Sequence, residues 1–105
     1  MMSYIAGPYS QGDVCENVRK ACFAGDAILK KGHIPFIPHL THLWHLISPK
    51  PYKEWLRIDI EMMSICDAVL RLTGESKGAD SEVAEAQKLC MIIYYSLEDI
   101  PDEVL

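Results

Sequence analysis

The sequence lacks an excess of positive charge, a long apolar run and closely paired cysteines. Ten Lys and Arg side chains against fifteen Asp and Glu give a formal net charge of -5, whereas proteins that bind a nucleic-acid backbone usually carry a basic stripe. The apolar runs are too short to span a bilayer, and the N-terminus shows no secretory signal pattern. These absences argue against nucleic-acid polymers and membranes as partners, and we expect a soluble, cytoplasmic protein.

The cysteines are spread along the chain without a Cys-x-x-Cys pair, the spacing that is typical of many metal and redox sites. We therefore predict buried, reduced thiols in preference to a metal site or disulfides. The four residues are Cys15, Cys22, Cys66 and Cys90.

Length and composition predict one domain that covers residues 1–105. Half of the 105 residues are hydrophobic, which is enough for one packed core and too little for a second. The chain contains no internal repeat, linker or low-complexity segment.

Strand-like and helix-like segments alternate along the chain. The strand-like segments are "SYIAG", "HIPFIP", "DAVLRL" and "MIIYY", and the helix-like segments cover residues 13–31, 51–66 and 79–90. The prolines of "HIPFIP" favour an edge position, because proline cannot donate to a central ladder. The alternation predicts an α/β fold: a small Rossmann-like or flavodoxin-like three-layer sandwich with a mainly parallel sheet of about four or five strands.

In such sheets, ligands bind beyond the carboxyl ends of the strands, near the point where the strand order reverses. Three segments should meet there and form a crevice. They are residues 7–12, 38–45 and 73–82.

Asp59 lies in the middle of an apolar stripe on the helix predicted for residues 51–66. At about 100° per residue, five other side chains fall within about 60° of it: Tyr52, Trp55, Met62, Met63 and Cys66. A buried carboxylate is costly unless it has a partner. Two interpretations are about equally supported: Asp59 accepts backbone N–H groups as a structural anchor, or it projects into the ligand crevice.

Glu82 lies at the edge of the inward face of the helix predicted for residues 79–90. An acidic side chain near a helix start often does no more than complement the helix dipole. Two observations favour a site instead: Asp59 stands on the neighbouring helix, and Ser76 with Gly78 should present N–H groups at a helix N-terminus, where anions bind. Two carboxylates beside an anion cradle suit glycosidic-bond chemistry, with one as nucleophile and the other acting on the leaving group.

Three histidines follow the second predicted strand at intervals of three residues, His39, His42 and His45. Zinc ligands on a helix more often use a spacing of four, so we predict no metal site here. His39, directly after the strand, should face the crevice. For His42 and His45 a lid, a subunit contact and an amphipathic segment packed at a dimer interface all remain open.

The stretches "YIAGPYS", "WLRIDIEMMSICDAVLRL" and "GESKGADSEVAEAQKL" occur in this order over nearly the whole chain. Together they resemble the nucleoside 2-deoxyribosyltransferase family, which includes enzymes that hydrolyse the N-glycosidic bond of deoxynucleoside 5'-monophosphates. The resemblance implies that Glu82 attacks the anomeric carbon and forms a glycosyl-enzyme ester, and that Asp59 places or protonates the base.

The resemblance and the crevice together give the predicted substrate-binding residues: Tyr4, Gly7, Pro8, Ser10, His39, Ser76 and Gly78. The resemblance also implies a nucleoside or nucleotide as the small-molecule partner, no cofactor, and a homodimer or homotetramer with shared active sites. Ser10 stands in the loop where monophosphate-selective relatives tend to carry arginine, so the sequence leaves the need for a 5'-phosphate open.

The leading hypothesis is therefore an enzyme that cleaves, or transfers at, the N-glycosidic bond of a deoxynucleoside or its 5'-monophosphate. One alternative is a non-catalytic nucleotide-binding sensor that uses the same crevice. A second alternative is a metal-binding interaction module built on the histidine segment.

Overall fold

The computed structural model describes residues 1–103, in which strands and helices alternate as predicted. In chain order the elements are β1 (Met2–Ala6), α1 (Val14–Lys30), β2 (Ile34–Phe36), a 3-10 turn (Pro38–Thr41), α2 (His42–Ile47), α3 (Tyr52–Ser64), β3 (Ala68–Arg71), α4 (Lys77–Lys88), β4 (Ile92–Tyr94) and a second 3-10 turn (Leu97–Asp99).

The four strands form one parallel sheet in the order β2-β1-β3-β4. Tyr4 of the central strand β1 lies opposite Phe36 on one side and Val69 on the other. The proline-containing strand β2 is at an edge, as its composition predicted. This is the predicted α/β, Rossmann-like or flavodoxin-like arrangement, with four strands in the described part of the chain.

Helices cover both faces of the sheet, because successive side chains of a strand point to opposite sides. Ile5 and Leu70 pack against Ala21, Ala24 and Ile28 of α1. On the opposite face, the buried side chains of β1 and β3 pack against α3 and α4. The buried members of that second cluster are Tyr4, Ala6, Met63, Cys66, Val69, Ala79 and Ala86.

Helix α1 begins and ends close to the predicted positions. The side chain of Asp13 caps it by accepting a hydrogen bond from the backbone N–H of Glu16, at 3.1 Å. In α4 the cap is Ser76, so this helix begins two residues before the predicted start. Among the described residues, no helix has the length and apolar character needed to cross a membrane.

The histidine segment is the main local difference from the expected structure. No helix was predicted in the histidine-rich connection between the second strand and the helix that starts near Pro51, yet this connection forms the first 3-10 turn and α2. Tertiary contacts hold it: His42 is hydrogen-bonded to the hydroxyl of Tyr9, and Trp55 donates its indole N–H to Nδ1 of His45 at 2.7 Å.

The prediction of four buried thiols is wrong for two of them. Cys66 is buried and Cys22 is half-buried, but Cys15 and Cys90 are exposed. Cys90 lies beyond the C-terminus of α4 with a φ of 57°, where the chain turns away from the helix axis. All four are free thiols.

Candidate active site

Glu82 is a buried carboxylate with a specific hydrogen-bond donor. It lies on the inner face of α4 and only 7% of its surface is exposed, so it is buried more deeply than an edge position predicts. The hydroxyl of Tyr4, a fully buried residue of β1, donates a hydrogen bond to Oε2 of Glu82. This bond joins the centre of the sheet to the helix above it and fixes the orientation of the carboxylate.

Asp59 is the second carboxylate on this side of the sheet. It is half-buried on α3, and burial raises its pKa to about 7. Burial is also the main cause that raises the pKa of Glu82 to about 7, and the charge of Asp59 raises it further. The structure therefore brings together the two carboxylates that the sequence singled out. Hydrogen bonding does not contribute to the shift at Asp59, which gives no support to a role as a backbone anchor.

The surroundings of the two carboxyl groups differ in their hydrogen-bond donors and nearby charges. The hydrogen bond from Tyr4 and the positive charge of Arg71 lower the pKa of Glu82 against the effect of burial, whereas burial is the cause of the raised pKa of Asp59. When two nearby carboxyl groups share a proton, the group with donors and a positive charge ionises first. The contacts of Glu82 therefore favour its ionisation, while burial raises the pKa of both groups to about 7.

The start of α4 forms a tight corner next to Glu82. The hydroxyl of Ser76 accepts a hydrogen bond from the backbone N–H of Ala79 at 3.0 Å. A Cβ atom at Gly78 would lie 3.2 Å from the hydroxyl oxygen of Tyr52, so a side chain there would crowd this residue. Tyr52 is 64% exposed, but its hydroxyl lies beside α4, on the side of α3 where the sequence placed it.

The loop after β1 approaches the loop after β3 closely. A Cβ atom at the buried Gly7 would lie 3.0 Å from Cβ of Leu72, and one at Gly74 would lie 2.9 Å from Cγ of Pro8. Glycine at these two positions lets the loops pack together at the carboxyl ends of the central strands. Ser10, farther along the first loop, is exposed.

His39 is tied to the same loop. Its side chain is buried, and its Nε2 lies 3.1 Å from the carbonyl oxygen of Pro8. Burial lowers the pKa of His39, so the imidazole is neutral and donates its Nε2 proton to that carbonyl. Tyr9 packs edge-on against the rings of both His39 and His42. The contact to Pro8 places His39 beside the predicted crevice.

A cleft of about 580 Å³ opens where the strand order reverses, between β1 and β3. Segments 7–12 and 73–82 contribute to its walls as predicted, but no residue of segment 38–45 lines it, and the start of α1 takes that place. Glu82 and Asp59 are not among its lining residues. These are Pro8, Gln11, Gly12, Asp13, Glu16, Asn17, Lys20, Leu72, Thr73, Gly74 and Glu75.

Among residues 1–103, no three His, Cys, Asp or Glu side chains are grouped so that they could hold a metal ion. The histidines of the segment after β2 instead have protein partners: Pro8 for His39, Tyr9 for His42 and Trp55 for His45. Within residues 1–103, these contacts pack the histidine segment against the loop after β1 and against α3.

One residue close to the carboxylates was not identified from the sequence. Arg71 ends β3, and its side chain is only 12% exposed. A period-two reading of β3 could have found it, since Arg71 lies two positions after the buried Val69 and therefore on the same face of the sheet. Within "DAVLRL" alone, Arg71 is hard to distinguish from the ordinary polar end of an apolar strand.

Comparison with known proteins identifies a family and a fold. The family model described as "Domain of unknown function (DUF7768)" matches residues 1–96. No curated protein matches the chain.

Two solved structures share the fold. One is a 2-deoxyribosyltransferase from the psychrotolerant bacterium Bacillus psychrosaccharolyticus, with a TM-score of 0.66, 18% identity, and coverage of 89% of this chain and 69% of that protein. The other is a 2-deoxyribosyltransferase from Leishmania mexicana, with a TM-score of 0.64 and 21% identity. There the match covers 88% of this chain and 61% of that protein.

Proposed function

The chain belongs to the DUF7768 family, whose description assigns no function, and we propose that it is an enzyme of N-glycosidic bond chemistry. It would cleave, or transfer at, the bond between base and sugar of a deoxynucleoside or deoxynucleoside 5'-monophosphate. The observation that carries the proposal is the buried Glu82 carboxylate, held by the hydroxyl of Tyr4 next to a second carboxyl group, Asp59, with a raised pKa. The fold shared with two 2-deoxyribosyltransferases supports it.

In the first step, ionised Glu82 is the nucleophile. One of its oxygens forms a bond to the anomeric carbon of the sugar while the bond from that carbon to the base nitrogen breaks. The reaction passes through a state with positive charge on the sugar, and a carboxylate under the ring stabilises that charge before it forms the ester. Tyr4 holds the carboxylate in one orientation, which lowers the entropic cost of reaching the reactive geometry.

Asp59 supplies the proton for the leaving base. A base departs poorly as an anion, so the acid must still be protonated near neutral pH. The raised pKa of Asp59, about 7, meets this requirement. The base receives the proton together with the electron pair of the broken bond, and Asp59 becomes a carboxylate.

The second step releases the sugar from Glu82. Asp59, now ionised, takes a proton from water or from an acceptor base, and the activated oxygen or nitrogen attacks the anomeric carbon. The ester bond breaks, its electron pair returns to Glu82, and Asp59 is again protonated. Water gives hydrolysis and an acceptor base gives transfer, through the same intermediate.

The remaining predicted residues would form the substrate pocket around this pair. Gly7, Pro8 and Ser10 would border it from the loop after β1, Ser76 and Gly78 from the start of α4, and His39 from the turn after β2. We propose that residues 1–105 act as a single domain and that a homodimer or homotetramer shares residues between active sites.

The test uses the purified protein with a panel of deoxynucleosides and their 5'-monophosphates, and follows free base by chromatography. Glu82→Gln removes the nucleophile and keeps the shape. Glu85→Gln, one turn later on α4, is the matched control, because Glu85 pairs with Lys88 at the surface. We expect base release by the wild type and by Glu85→Gln, and at least a roughly 1,000-fold loss in Glu82→Gln.

Equal base release by Glu82→Gln and the wild type would contradict the assignment of Glu82. Substrate binding without base release from any member of the panel, with or without an acceptor base, would contradict the enzyme and support the nucleotide-binding sensor.

A further inference from the structure

Arg71 lies on the same face of the sheet as the hydroxyl donor of the candidate site. In the parallel register, Tyr4 is opposite Val69, and Ala6 is opposite Arg71. Tyr4, Ala6 and Val69 all belong to the cluster under α3 and α4, and paired residues of neighbouring strands point to the same side. The side chain of Arg71 therefore starts from that face at the carboxyl end of β3, one pleat beyond Val69.

The guanidinium of Arg71 is held by three acceptors around the loop that leads into α4. One nitrogen donates to the carbonyl oxygen of Leu72. The other donates to the carbonyl oxygen of Gly74 and to Oδ1 of Asp80, both at 3.0 Å. A mostly buried guanidinium is costly to desolvate unless its donors have acceptors, and these contacts provide acceptors for three of its N–H groups. They also join the loop to the first turn of α4.

Three side chains from three neighbouring elements act on the charge state of Glu82. Tyr4 from β1 donates a hydrogen bond and Asp59 from α3 contributes negative charge. Arg71 from β3 contributes positive charge.

We propose that Arg71 is a positioning residue of the candidate active site: it fixes the loop from Leu72 to Ser76 against α4 and keeps a positive charge facing the Glu82 carboxylate. Its contribution to turnover rests on the proposed function. Its effect on the ionisation of Glu82 does not, and can be measured in a protein that shows no activity.

The experiment follows the Glu82 carboxyl signal during a pH titration by NMR, with carboxyl-13C glutamate and assignment from the signal missing in Glu82→Gln. Arg71→Gln should raise the titration midpoint of Glu82 by roughly half a pH unit or more, because an opposite charge that favours ionisation is lost. Arg71→Lys keeps the charge and should stay near the wild type. Arg57→Gln is the control, since Arg57 is exposed and pairs with Glu54 on the outside of α3.

Asp80→Asn leaves Arg71 in place and should shift the titration midpoint of Glu82 in the opposite direction. Loss of the negative partner leaves the charge of Arg71 uncompensated, so the midpoint of Glu82 should fall. Glu85→Gln, also on α4, should lower the titration midpoint of Glu82 less. The carboxylate of α4 that accepts from Arg71 is Asp80, whereas Glu85 pairs with Lys88. If the amide spectrum shows that Arg71→Gln does not fold, the proposal is tested by the midpoints of Arg71→Lys and Asp80→Asn instead.

A midpoint that is unchanged in Arg71→Gln, or that does not fall in Asp80→Asn, would overturn the proposal. Shifts in opposite directions support it, since a role limited to loop structure would not reverse sign. If these shifts occur in a protein that releases no base from any substrate, the proposed function fails and the inference about Arg71 stands. Where there is activity, the acidic limb of the pH–rate profile should move with the midpoint.

Discussion

The two faces of the sheet use the same strands in different ways. On the α1 side, Ile5 and Leu70 meet Ile28 and Ile100 in an apolar cluster, and the buried polar residue of β1 on this face is the uncharged Ser3. On the side of α3 and α4, the neighbouring positions of the same strands carry Tyr4 and Arg71, and Glu82 is buried above them. Because strand side chains alternate, one strand contributes to both environments. Both faces bury an apolar cluster, and the face under α3 and α4 in addition holds ionisable groups away from water.

The largest expected effect on stability comes from the apolar face. Ile28→Ala removes a fully buried side chain and should lower the free energy of unfolding by about 2–5 kcal/mol, equally at pH 5 and pH 8. Ile65→Ala is the control, because Ile65 is 64% exposed and should cost less than about 0.5 kcal/mol. Urea unfolding measures both. A small loss of unfolding free energy in Ile28→Ala would mean that packing on the α1 face contributes little to stability.

Asp59→Asn should reduce base release about 100-fold for bases that leave poorly. The wild-type rate should fall as the pH rises through about 7, where Asp59 loses its proton. That alkaline fall should be absent in Asp59→Asn. Glu61→Gln, an exposed change on the same helix, should leave rate and profile unchanged. An alkaline limb that persists in Asp59→Asn would assign the acid to another group.

Glu82→Gln should have the opposite effect on stability from Ile28→Ala. The pKa of Glu82 is raised to about 7 in the folded protein, so the folded state holds this proton more tightly than the unfolded chain. The stability that it contributes is complete at pH 4 and is lost as the pH rises through 7. At pH 8 Glu82→Gln should therefore be more stable than the wild type by about 1–3 kcal/mol.

Urea unfolding at pH 4, 6 and 8 measures this difference, which should disappear at pH 4. Glu85→Gln should show no comparable dependence on pH, because Glu85 pairs with Lys88 at the surface. A Glu82→Gln variant that is less stable than the wild type at pH 8 would show that the buried carboxylate is a structural group.

Tyr4→Phe is the smallest expected change. It removes one hydroxyl and keeps the ring that stacks on Phe36 with centroids 5.7 Å apart. The lost hydrogen bond should cost about 10-fold in rate and move the acidic limb to higher pH, since Tyr4 lowers the pKa of Glu82. Tyr94→Phe, which changes a ring packed on the α1 side, should leave the acidic limb in place.

Much of this architecture follows from the sequence. Period-two and period-3.6 patterns predicted four strands and the helices α1, α3 and α4, and the prolines correctly predicted the edge position of β2. Spacing alone also placed Asp59 on the inward face of one helix and Glu82 at the edge of the inward face of its neighbour. These features depend on local patterns of burial, which a single chain displays directly.

Other features depend on partners that are distant along the chain. Helix α2 is held by Tyr9 and Trp55, and neither contact leaves a periodic signal in residues 42–47. The depth of Glu82 depends on Tyr4, which is 78 positions away. The acceptors of Arg71 are close in the chain, but they lie in an irregular loop and at the start of α4, where periodicity does not identify them. Periodicity identifies which side a residue faces but does not identify what it meets there.

The most direct test of the account is to trap the sugar on Glu82. The protein is mixed with a substrate that releases its base quickly but whose ester is hydrolysed slowly, then quenched in acid and digested for mass spectrometry. The account predicts that the peptide containing Glu82 gains the mass of the sugar residue, and that Glu82→Gln gains none while Glu85→Gln behaves as the wild type. Release of base with the sugar mass on no peptide, or on a residue other than Glu82, would contradict it.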